Sequence, residues 1–158
     1  MERGRNAVIL GLVLAVGAAH AASNDGFEGR WVIADAKLAP WADRLMRGGD
    51  EERKRLVGQT IVIGRDFVTG PRGFGCRHAT FTSQDDPPDY LFEGSLNEGP
   101  KGQPRDGLAA ARALGVTTAK VRTLGTSCSD IPFHRISPTT LMFGLNNLIY
   151  ILHPAPSR

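Results

Sequence analysis

The sequence predicts a mainly β protein: a small antiparallel β-barrel or coiled sheet of about eight strands, with one short inserted helix and one disulfide. A two-sheet β-sandwich is the alternative. Three observations carry this reading. Short apolar and β-branched runs alternate with polar residues at a period of two. Glycine and proline, 19 and 10 among 158 residues, punctuate those runs. The two cysteines, Cys76 and Cys128, sit where one bond would tie early strands to late ones. Short sequential connections favour antiparallel neighbours, and closing a sheet removes its exposed edges.

At the N-terminus Arg3 and Arg5 precede the apolar run Ala7 to Val16, and Ala19-His20-Ala21 offers small residues where a signal peptidase reads. This is the three-part pattern of a secretory signal, with an apolar run too short to cross a bilayer; a retained anchor is the competing reading. The expected cut follows Ala21 and leaves one β-rich domain, residues 22–158. No later run approaches membrane-spanning length. In an exported chain two cysteines are most simply a disulfide. Arginine far outnumbers the four lysines, Lys37, Lys54, Lys101 and Lys120. With abundant alanine and glycine, that is the usage of a GC-rich bacterial genome, so the expected compartment is the periplasm. The formal net charge of +3 is too small to imply a nucleic-acid or membrane partner.

The elements follow in order. From Trp31 to Leu38, Val32, Ala34, Ala36 and Leu38 alternate with Ile33, Asp35 and Lys37, predicting a strand. Pro40 stops it and opens a short helix bearing Trp41 and Leu45; Gly48-Gly49 ends that turn. Asp50 to Arg55 is a charge run, a solvated loop or helical turn. Gln59 to Gly70 predicts a hairpin, with Gly64 supplying positive φ. Gly73 to Thr82 is a strand with Cys76, His78 and Thr80 on one face. Pro87-Pro88 turns the chain, and Tyr90-Leu91-Phe92 is a short strand. Asn97 to Asp106 is a mobile surface loop. Asp106 caps a helix through Leu114, with Leu108, Ala111 and Leu114 along one side and Gly115 as its stop. Thr117 to Leu124 and Ile131 to Ile136 are strands. Leu141 to Leu145 and Leu148 to Leu152 flank Asn146-Asn147 as a type I′ hairpin.

Gly29-x-Trp31 at the first strand resembles the lipocalin and wider calycin group, whose first strand carries Gly-x-Trp. The resemblance implies a barrel whose base Trp31 closes, with an arginine from late in the chain packed on it; Arg135 and Arg158 are the candidates. The helix before the last four strands departs from that family's pattern. Small periplasmic barrels stapled by one disulfide also include inhibitors of host lysozymes, a likeness of class without a matched motif.

Catalytic constellations are weak. Cys76-Arg77-His78 has Cys-His spacing, but a bonded Cys76 cannot attack. Cys76, His78, Cys128 and His134 are zinc ligand types without the paired short spacings of structural sites. There is no Gly-x-Ser-x-Gly elbow, and Gly70-Pro-Arg-Gly-Phe-Gly lacks a phosphate loop's ending. Asp85, Asp86 and Asp89 lack calcium-loop spacing. No catalytic residue, cofactor or metal is therefore expected. The expected function is non-enzymatic, lipocalin-like binding of a protein, as an inhibitor would, or of a small apolar ligand. The candidate contacts are Trp41, Arg44, Arg47, Lys101 and Arg105 on two loops. The alternatives are an envelope hydrolase using His78 or His134, and an accessory subunit of an envelope assembly.

Overall fold

The computed structural model describes residues 24, 26–42, 49–71 and 73–156; the expected signal segment and its cut site lie outside them. Among the described residues there are nine strands: β1 (Gly29–Leu38), β2 (Thr60–Ile63), β3 (Phe67–Thr69), β4 (Cys76–Arg77), β5 (Phe81–Asp86), β6 (Val121–Thr126), β7 (Ser129–Ser137), β8 (Thr140–Leu145) and β9 (Leu148–Pro154). Two helices interrupt them, α1 (Asp50–Leu56) and α2 (Gly107–Ala113). The strands form one curled half-barrel sheet, in the order β4-β3-β2-β1-β9-β8-β7-β6-β5, so the two-sheet alternative is not what forms. Every ladder is antiparallel. All neighbours but β1 and β9 are consecutive in the chain, and so are the two edges, β4 and β5. No ladder joins those edges. The Cys76–Cys128 disulfide closes that side of the curl instead, with a Cα–Cα distance of 5.3 Å, running from edge strand β4 to the β6–β7 turn next to the start of β5. Beside it the Ser127 amide donates to the Thr80 carbonyl, and the Thr80 amide donates to Ser127 Oγ, each at 3.0 Å.

The inner face of the curl is filled. Trp31, Ile33, Ile61, Ile63, Phe133 and Phe143 belong to one buried cluster. Phe143 is its hub, with ring centroids 5.0 Å from Phe74, 5.9 Å from Phe133 and 4.8 Å from Tyr150. Burying each such side chain contributes roughly 1.5–3 kcal/mol. A second cluster covers the outer face of β8 and β9, where Met142 and Ile149 meet Leu91, Leu96, Ala110 and Ala111 from the segment between β5 and β6. Both faces of these two strands are thus covered. That is why they read as continuous apolar runs rather than alternations.

Local detail departs from the sequence reading in several places. In β1, Trp31 and Ile33 point inward, and a bulge between Ile33 and Asp35 brings Ala36, rather than Asp35, to the same side. Leu38 is left half exposed. The charge run is helical: acids fill the first turn of α1 and bases its last, the arrangement that complements the helix dipole. Glu52 ties α1 to the last hairpin, with Oε1 accepting from the Tyr150 hydroxyl (3.0 Å) and Oε2 from Asn146 (2.7 Å). Burial, then the bond to Glu52, push the Tyr150 hydroxyl well above its ordinary pKa. Gly64 does not take positive φ. A Cβ there would meet the Phe67 ring, so any larger residue would have to displace that ring.

The expected strand from Gly73 to Thr82 is two strands on opposite edges of the sheet, broken at His78, which turns to φ +58°. Tyr90 to Phe92 is not a strand: a 3-10 turn over Pro88–Tyr90 leads into left-handed residues. Asp106 does cap α2, accepting from the Ala109 amide at 2.9 Å, and Gly115 at φ +91° follows it. The buried side of α2 is Gly107, Ala110 and Ala111, while Leu108 faces out, because the helix packs on the 3-10 turns through its small residues. At the last hairpin only Asn146 takes positive φ, so the turn is not type I′.

Candidate functional site

The outer face of β5 to β7 is polar where β8 and β9 are apolar. Gln84 lies opposite Thr123, and Thr123 opposite His134. On the same face of β5, Thr82 and Asp86 flank Gln84. The residues after β5 fold back beside this row and leave a recess of about 540 Å³, with Asp86, Tyr90, Glu93, Thr123, Asp130 and His134 among its walls. A second recess, about 210 Å³, adjoins it; Trp41, Phe92, Ile131 and Leu145 give it an apolar lining. Glu93, Asp130 and Pro132 line both, so they form the lip between the two.

His134 organises this region from below. It is 2% exposed. Its Nε2 accepts the Phe92 amide at 3.3 Å, so the ring proton sits on Nδ1 and is donated to Thr123 Oγ1 at 3.0 Å. Phe92 meets the ring edge-on, at 4.7 Å between centroids. Burial pushes the His134 pKa down to about 4, outweighing the nearby Asp86 charge, which acts to raise it. The ring is neutral, and both its nitrogens are engaged. It holds a costly turn: Phe92 (φ +54°), Glu93 (+58°) and Gly94 (+80°) are left-handed in succession. Left-handed backbone costs roughly 1–2 kcal/mol per non-glycine residue. The Phe92 amide bond to His134 offsets part of that and aims Glu93 at the lip. Asp86, 7% exposed, accepts Gln84 Nε2 on Oδ1 at 2.8 Å. It has no ion-pair partner among the described residues.

The structure scatters the residues singled out from sequence. Trp41 lines the apolar recess, packs 5.5 Å from Phe92, and donates from Nε1 to the Asn146 carbonyl at 3.3 Å. Arg44 and Arg47 lie outside the described residues. Arg105 donates to the Pro40 carbonyl at 3.3 Å, so it fastens its loop to the chain beyond β1. Lys101 is exposed, at φ +61°, and lines neither recess. The expected mobile loop holds 3-10 turns at Ser95–Asn97 and Pro100–Gly102 and a Glu98–Pro104 bridge. His78 is exposed at the β4 edge, apart from the recess that His134 underlies. Arg135 and Trp31 line one further recess near the end of β9. Among the described residues no group of three or more His, Cys, Asp or Glu is placed to hold a metal ion.

Sequence reasoning missed Gln84, Glu93, Thr123 and Asp130, and weighed Asp86 only as a calcium ligand. One signal was available. Phe81 to Asp86 alternates no apolar residues after Phe81, so a strand there must present a polar face. No protein-family model, curated protein or solved structure matches this chain.

Proposed function

We propose that this chain is an exported, non-enzymatic binding protein of lipocalin-like build, and that it recognises another protein through the outer face of β5 to β7. The observation that carries this reading is where the space lies. The inside of the curl is packed with side chains, whereas the two adjoining recesses open on the outer face. A barrel that holds a small apolar ligand keeps a cavity inside. Recognition of a protein needs only a rigid surface with apolar and polar features side by side. The engaged nitrogens of His134 argue in the same direction, since a general base needs a free one within reach of substrate. Trp31 and Arg135 at one recess are in keeping with the lipocalin likeness.

Site-specific photo-cross-linking in the producing cell tests this. A photo-reactive residue at Gln84 or at Ser129 is expected to trap a polypeptide, and one at Arg30 is not. If neither position captures protein, and native mass spectrometry finds a stoichiometric apolar molecule on the purified chain, the reading is wrong.

A further inference from the structure

We infer that the two adjoining recesses form one groove for a basic, partly apolar stretch of polypeptide, with a Lys or Arg side chain at the Glu93–Asp130 lip and an apolar side chain two residues along beside Trp41. This rests on the protein-binding reading and names the chemistry of the partner.

Charge is the first support. Among the described residues, Asp86, Glu93 and Asp130 line the polar recess without a Lys or Arg, on a chain whose formal net charge is +3. A surface region lined by one sign of charge collects the opposite sign and repels its own. Nucleic acid and anionic lipid are therefore disfavoured here.

The second support is the state of Asp86. The side chain is more than nine-tenths buried and lines the recess, with one hydrogen bond from Gln84 and no cation. Its carboxylate takes one neutral hydrogen bond and no ion pair among the described residues, so an incoming cation can add a charged partner. The neutral His134 ring beside it cannot serve as that cation.

Shape is the third. The apolar recess with Trp41, Ile131 and Leu145 shares its lip with the acidic one, so one short segment reaches both. An extended segment places neighbouring side chains on opposite faces and alternate ones on the same face. The edge strand β5 borders the polar recess and offers unpaired backbone groups to such a segment.

The test uses the full folded protein and three synthetic peptides of equal length. One repeats arginine, serine, leucine and serine, so that arginine and leucine share one face, one has glutamate for arginine, and one has serine for leucine. Intrinsic fluorescence reads the binding, because Trp31 is buried in the core and Trp41 lines the groove. The arginine–leucine peptide is expected to bind about ten-fold or more tighter than either analogue, and to weaken as salt rises. Combining Glu93→Gln with Asp130→Asn, both at exposed positions, is expected to weaken it about ten-fold with an unchanged melting temperature. Equal or tighter binding of the glutamate peptide, indifference to the double substitution, or no binding of the arginine–leucine peptide each overturns the inference. Cross-links at Gln84 or Ser129 separate the two failures. If they form while the arginine–leucine peptide does not bind, the protein-binding reading stands and the basic partner falls.

Discussion

Removing the disulfide by Cys76→Ser with Cys128→Ser should loosen the one seam the hydrogen-bond ladders leave open. The bonded positions are 52 residues apart. Closing a loop of that size restricts the unfolded chain by about 4 kcal/mol in the chain-entropy treatment. For a domain of this length each kcal/mol moves the melting temperature by about 3–4 °C. The double variant is therefore expected to melt about 12–16 °C lower than the parent, followed by circular dichroism at one scan rate. Hydrogen exchange then locates the effect. The Thr80 and Ser127 amides, which extend the β5–β6 ladder by one pair right beside Cys128, should lose protection first. The β1–β9 ladder, remote from the bridge, should keep its protection up to global unfolding. A drop below about 4 °C, or Thr80 and Ser127 amides as protected as before, would refute the view that the sulfur bridge stands in for a missing ladder.

The remaining expectations concern the core and the turn above His134. Lowering the pH from 7.5 to 5 should cost about 2 kcal/mol through His134 alone. Its folded pKa is about 4 against an ordinary 6.5, so the unfolded chain takes the proton first; the contribution is complete above about 6.5 and drains away toward 4. Urea titrations across that range should show the slope in the parent and a flattened one in His134→Gln. Phe143→Ala, at the aromatic hub, should destabilise by about 3–5 kcal/mol in the same assay, and Phe143→Leu by much less. Gly107→Ala reverses the usual helical preference. An added Cβ would meet Asn97 Oδ1 at 2.4 Å and Asp89 Cβ at 3.1 Å, so a loss of about 1–2 kcal/mol is expected where an open helix position would gain.

Strand runs, the capped helix and the cysteine pair were legible because each is local, or because only one pairing exists for two cysteines. Registry was not. The bulge at Ala34 exchanges which β1 residues turn inward, and nothing in the alternation of Val32 to Leu38 announces it. The break at His78 was hidden because Cys76, His78 and Thr80 keep a strand's period across a left-handed residue. Tyr90 to Phe92 is apolar enough for a strand, but its apolar groups serve the outer cluster, a partner that only the fold supplies. The candidate site was the least legible. Its carboxylates come from β5, from the turn after it and from β7, and no spacing in the chain links Asp86, Glu93 and Asp130. Trp41 was named as a contact candidate; the apolar recess it borders comes from packing alone.

The cyclic strand order has a consequence for how this chain can be rewired. The start of β1 already lies against the end of β9, with Trp31 opposite Pro154 and the Ala155 amide bonded to the Arg30 carbonyl at 2.8 Å. A short linker there, with new termini opened between His78 and Thr80, would give a circular permutant in which every ladder is a simple meander, β5 through β9 and then β1 through β4. The longest-range pairing would become a local hairpin, lowering contact order and speeding folding. The sulfur bridge would then hold the two new ends together.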